Sequence, residues 1–150
     1  MAYYTALDFP NFEQAHSYAR ELEDAAVYTD QIKFEVAKFY VAWSTALKMK
    51  LELDPLKEIL RQQKYKELAD TAIKLLNGIP DRTHECHHML AQSYFNKWDY
   101  DNALRSVDNA LSTLPKGSHL HNSYRYLRIE ILKKRTQFAM GRTRADTSRY

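Results

Sequence analysis

Glycine and proline are scarce in this chain, three and four in 150 residues. An all-β chain needs a turn about every eight to twelve residues, and turns draw on those two residue types. Helix is therefore the expected state. Cysteine is scarcer still: the single Cys86 excludes an internal disulfide, which fits a reducing compartment. No run approaches the roughly eighteen apolar residues of a membrane span. The start, Met1 to Pro10, has neither the basic flank nor the apolar core of a signal peptide. The expected location is the cytoplasm, or the nucleus in a eukaryotic host, with no membrane partner. What is present suits a globular protein: 45% apolar and 27% charged residues. Eleven tyrosines add amphipathic rings of the kind that line grooves and interfaces.

Helical periodicity accounts for most of the chain. Asn11, after Pro10, is placed to cap a first pattern of Phe12, Ala15, Ala19, Leu22 and Ala26. Asp30 is placed to cap a second, with a stripe of Ile32, Val36, Phe39, Tyr40, Trp43 and Leu47. At Asp54-Pro55 the chain breaks and restarts, because Asp caps and Pro fits a first helical position whose N–H would have no partner. The spacing predicts a short helix over 55–61 and another over 65–77 that Gly78 can end. Three more follow over 82–95, 99–113 and from a cap at Ser118 through Leu132. Beyond Phe138 the text "AMGRTRADTSRY" lacks a period. The expected fold is all-α, with one helical domain over 1–138 and a flexible basic tail over 139–150.

An internal repeat runs through the second half. At an offset of 35, Tyr65 falls on Tyr100, Leu68 on Ala103, Ala72 on Val107, Leu75 on Ala110 and Pro80 on Pro115. Each set occupies one helical face, and proline closes each copy. Residues 84–117 resemble a tetratricopeptide repeat, a helix–turn–helix unit of 34 residues. His87 stands at the signature's Trp position, Leu90-Ala91 at its Leu-Gly pair and Tyr94 at its Tyr, while Ala103, Val107, Ala110 and Pro115 complete it. His87 is the real departure; Ala for Gly and Val for Phe are size changes a core absorbs. A weaker copy is expected over about 51–83, and a capping helix over about 118–137. The resemblance implies stacked antiparallel helix pairs whose first helices line a concave groove. It also implies a scaffold or adaptor that binds a protein or peptide without catalysis and without a cofactor.

The stretch His84-Glu85-Cys86-His87-His88 spells H-E-x-x-H, a zinc-protease pattern. A third ligand is required as well. The extended motif would place Gly at 91 and His at 94, where this chain has Ala91 and Tyr94, and no Glu lies between Glu85 and Glu130. The repeat explains Leu90, Ala91 and Tyr94; a protease does not. His84 and His88, with His119 and His121 from the following segment, are the one set of residues that can meet around a zinc or nickel ion. The plainer reading is four polar residues on a solvated edge, and no metal site is expected. Cys86 reads as a small buried residue.

Three functional readings follow. The register places His84, His88, Gln92 and Phe95 on the groove side of a first helix, with Asn122 and Arg125 beside them on the capping helix. These six are the expected partner-binding residues. The alternative lies at the basic end, where Tyr124 to Tyr150 carries eight Lys or Arg against two acids, a balance of +6 against −3 for everything before it. There Arg128, Lys133, Lys134, Arg135, Arg142 and Arg144 would hold nucleic-acid phosphates, with tyrosines stacking on bases. Finally, Phe34, Phe39, Tyr40 and Trp43 exceed the aromatic surface one short core needs, and a homo-dimer would cover them.

Overall fold

The computed structural model describes residues 12–24 and 29–147, with side chains over 13–21 and 29–141. Six helices and no strand lie among them: α1 Phe12–Asp24, α2 Asp30–Met49, α3 Pro55–Asn77, α4 His84–Asn96, α5 Tyr100–Thr113 and α6 His121–Thr147. Two compact units divide the chain, one ending at Arg82 and the other starting at Thr83. The first holds α1 to α3 and the second α4 to α6. Asn11, Ala26 and the side chains of Phe12 and Leu22 lie outside the described residues.

In the first unit, Thr29 rather than Asp30 caps α2: its Oγ1 accepts from the Ile32 N–H at 3.3 Å. Thr29 has the extended backbone a cap requires, and Asp30 enters the first turn, where a negative charge opposes the helix dipole. Asp54 caps α3 as expected, accepting from Leu56 at 3.0 Å and Lys57 at 3.4 Å, with Pro55 in the first turn. The two helices run antiparallel. Arg61 meets the end of α2, Ser44 Oγ donates to the Tyr65 carbonyl at 2.7 Å, and Lys33 donates to the Gly78 carbonyl at the far end. Small residues on the facing surfaces, Ala37, Ser44, Ala69 and Ala72, are wholly buried and let the backbones approach. Around them lie Val36, Phe39, Trp43, Leu68 and Leu76, each worth roughly 1.5–3 kcal/mol on burial. Ala15 and Ala19 of α1 are also buried, and His16 Nδ1 lies 2.7 Å from the Tyr40 hydroxyl.

Arg61 closes the corner between α2 and α3. Its guanidinium donates to the carbonyls of Leu47 and Lys48 in the last turn of α2, and its other edge is held by both oxygens of Glu58. This pairing holds the Glu58 carboxyl below the usual carboxylate range, chiefly through the Arg61 hydrogen bonds.

The expected break between 61 and 65 does not occur: α3 is one helix of 23 residues. Gln62, Gln63 and Lys64 are good helix formers, and no glycine, proline or cap interrupts them. The apolar period does change sides there. Leu56, Ile59 and Leu60 face away from the stripe of Tyr65, Leu68 and Ala72, and in the sequence that switch imitates a break. The partner of the 65–77 segment is therefore α2, and the upstream pair spans 30–77 instead of 51–83.

In the second unit, Thr83 caps α4 and Asp99 caps α5. The turn between them ends in a 2.9 Å bond from the Asp99 N–H to the Tyr94 carbonyl, and Trp98 within it has a φ of +66°. Ala91, Ala103, Val107, Ala110 and Leu114 form the core with Tyr124 and Ile131 of α6. Gly117, at φ +82°, turns the chain after Pro115. Ser118 Oγ accepts from Leu120, and α6 itself begins at His121. It then runs to Thr147, past the expected end near 137. Gln, Met, Ala and Arg there sustain helix by propensity without an apolar period.

Candidate functional site

His84 and His88 stand one turn apart on α4, and Tyr124 of α6 receives both. The Tyr124 hydroxyl lies 2.9 Å from His84 Nδ1, and its ring stacks on His88 at 4.4 Å between centroids and 15° between planes. Tyr124 is almost fully buried, and burial, then the charge of Glu85, pushes its hydroxyl pKa up. Burial, then the neighbouring His84, holds His88 below the ordinary imidazole value. The ring pair is thus adapted to a neutral His88. Such a cluster can donate and accept hydrogen bonds and offer flat ring faces.

Farther along the same helix, Gln92 and Phe95 are half-buried, and Phe95 meets the Tyr100 ring edge-on at 6.0 Å. Asn122 and Arg125 are exposed. At 100° per residue they lie about 160° and 100° round α6 from Tyr124. The register thus brings His84, His88, Gln92 and Phe95 onto one strip, while Asn122 and Arg125 turn away from it. His84 and His88 are seam residues between α4 and α6, not free groove walls.

The basic residues are partly compensated. Arg128 bonds Asp108 at 2.8 Å, Arg135 reaches Asp101 at 3.4 Å and Lys133 lies 3.8 Å from Glu130. Lys134 is exposed. The side chains of Arg142 and Arg144 lie outside the described residues. In the first unit Phe39, Tyr40 and Trp43 are buried and Phe34 is half-buried. The aromatic surface expected to dimerise is core instead, because α2 and α3 close over it.

Cys86 is buried. His121 Nε2 lies 3.3 Å from the Pro115 carbonyl and His119 is exposed. Among the described residues no group of three or more His, Cys, Asp or Glu gathers in a metal-holding arrangement. Sequence reasoning missed the role of Tyr124 as the shared partner of both histidines. It also missed Trp98, which borders an open hollow with Tyr100, Asp101, Arg135 and Phe138. A signal for Trp98 existed: it follows a helix end and precedes a cap, where a left-handed residue is usually glycine. Compared with known proteins, the chain matches no family model, no curated protein and no solved structure.

Proposed function

We propose that this chain is a non-catalytic interaction module of the tetratricopeptide-repeat kind, an adaptor that binds a protein or peptide in a reducing compartment such as the cytoplasm. One observation carries the reading. The residues that resemble the repeat signature (Leu90, Ala91, Ala103, Val107 and Ala110) are all buried, and Ala91, Ala103, Val107 and Ala110 share the core of α4, α5 and α6. The strip of His88, Gln92 and Phe95 remains partly open beside them, with His88 backed by the buried Tyr124 ring. Flat rings flanked by an amide suit an extended peptide, whose backbone needs donors and acceptors and whose side chains need apolar contact. The nucleic-acid alternative has less support, since Arg128 and Arg135 already bond carboxylates of α5. Free phosphate-binding cations are what that alternative requires.

The test is affinity capture with the full chain, repeated with Gln92→Glu and with Asn122→Ala. A partner lost with Gln92→Glu and kept with Asn122→Ala supports the strip as the binding face. Retention by both variants, or steeply salt-dependent capture of RNA, sinks the proposal. Peptide cleavage with added zinc, on the parent and Glu85→Gln, is expected to show no activity in either. Activity that the variant lacks would make the chain an enzyme.

A further inference from the structure

An open hollow lies past the end of α4, where the turn into α5 faces the later half of α6. It measures about 470 Å³, within the roughly 300–1,000 Å³ of small-ligand sites. Three rings wall it. Tyr100 and Phe138 stand 6.1 Å apart between centroids with their planes at 62°, a corner and not a closed stack. Trp98 supplies the other aromatic wall, and it and Phe138 are 40% and 45% exposed. The φ of +66° at Trp98 is one that glycine adopts without strain at a helix end. The turn is closed by the backbone bond from Asp99 to Tyr94, which asks for no side chain at 98. A large ring held at a strained position beside a hollow is an outlier of the kind that marks a contact surface.

The charges that line the hollow offset one another. Asp101 and Arg135 face each other at 3.4 Å. Both oxygens of Asp99 are engaged by Asn102, through its N–H at 3.3 Å and its Nδ2 at 2.7 Å. As the cap of α5, Asp99 also sets its charge against the positive end of that helix. An ionic ligand would lose hydration here without an opposite charge to meet. A flat neutral ring loses little and gains face and edge contacts with three others. Arg135 and Asp101, both largely exposed, add donors and an acceptor for backbone amides on either side of such a ring. The strip along α4 leads to this place. Phe95 at its end meets Tyr100 edge-on at 6.0 Å, and Tyr100 is a wall of the hollow.

We propose that this hollow is the anchor pocket for an aromatic side chain, tryptophan or tyrosine, of the peptide that lies along α4. The inference rests on the reading of the strip as a peptide-binding face and adds the residue class that the peptide carries. A ring of this size, seated in a walled pocket, is the kind of contact that dominates the affinity of an interface.

Ligand-observed NMR titrations of the full chain with capped single residues test the pocket. N-acetyl-tryptophanamide is expected to bind at least about tenfold more tightly than N-acetyl-leucinamide, and neither tetramethylammonium nor acetate should displace it. Trp98→Gly, which suits the turn and removes the ring, should weaken the tryptophan probe by a similar factor. Phe138→Ala should do the same, with the far-UV circular dichroism of both variants unchanged. Gln92→Glu should leave the probe bound, because a single capped residue does not reach along the strip. Equal binding of the tryptophan and leucine probes overturns the proposal, as does binding that survives both ring variants. So does a preference for tetramethylammonium or for adenosine. Affinity capture separates the pocket from the reading beneath it. A partner lost with Gln92→Glu and kept by Phe138→Ala sinks the anchor and spares the strip. A tryptophan probe seated in the hollow, with no partner captured by the parent, spares the pocket and sinks the strip.

Discussion

Replacing Trp98 by glycine and by valine separates two effects that its position combines. A φ of +66° costs an L residue roughly 1–2 kcal/mol, and most where the side chain branches at Cβ. Trp98 is 40% exposed, and both substitutions remove the indole, so their difference reports the backbone. Trp98→Gly is therefore expected to melt above Trp98→Val by several degrees, at roughly 4–8 °C per kcal/mol for a unit of this size. Identical melting would mean the turn relaxes out of the left-handed region. Arg61 shows a second kind of residue effect. Its side chain is only 15% exposed and supplies donors to two helix-end carbonyls. Arg61→Met keeps the stem and removes the charge, and should lower stability by about 1.5–3 kcal/mol in a denaturant titration. Arg61→Lys should restore only part of this, because an ammonium cannot span Glu58 and both carbonyls.

At the scale of the helix, the informative change is Ala103→Glu. Ala103 has no exposed surface, and a carboxylate there would meet the α4–α5 contact, costing several kcal/mol and unfolding the second unit. Circular dichroism at room temperature reads this directly; a melt like the parent's would mean the helix register is wrong. Helix existence and the Asp54-Pro55 cap were legible in the residues, because they act locally, whereas the expected caps at Asp30 and Ser118 give way to Thr29 and to a helix that starts at His121. Two boundaries were not legible either. The stripe of α3 changes sides at Gln62, which looks like a break when one amphipathic face is assumed. The end of α6 is held by propensity alone, which an apolar period cannot report. The solvent-facing leucines of residues 51–60 were readable as composition, but their exposure depends on which face α2 takes, a tertiary fact.

For the second unit as a whole, acid should loosen the fold. His88 has its pKa lowered by burial and by His84, so the folded state favours the neutral ring. The stability this represents is complete above the unfolded value near 6.5 and is lost as pH falls through it toward the lower folded value. Facing His88 are His84 and Glu85 from its own helix and Tyr124 from α6. The melting temperature is expected to fall between about pH 7 and pH 5, and His88→Phe, which keeps a ring on Tyr124, should flatten that profile. An unchanged slope in the variant would assign it elsewhere. The groove strip was only half legible for the same reason. Spacing put His84 and His88 on one face, but the ring that covers them comes from 40 residues away. The basic end read as free charge because its acidic partners, Asp101 and Asp108, belong to another helix.

The lone thiol turns this unit into its own stopwatch. Cys86 is buried on α4, so an aromatic disulfide reagent can reach it only while the packing around it is open. The labelling rate, followed as released chromophore, counts those openings one molecule at a time. With no other cysteine in the chain, the signal has a single source and needs no engineered probe. When a ligand that holds α4 is added, the same trace slows in proportion to occupancy.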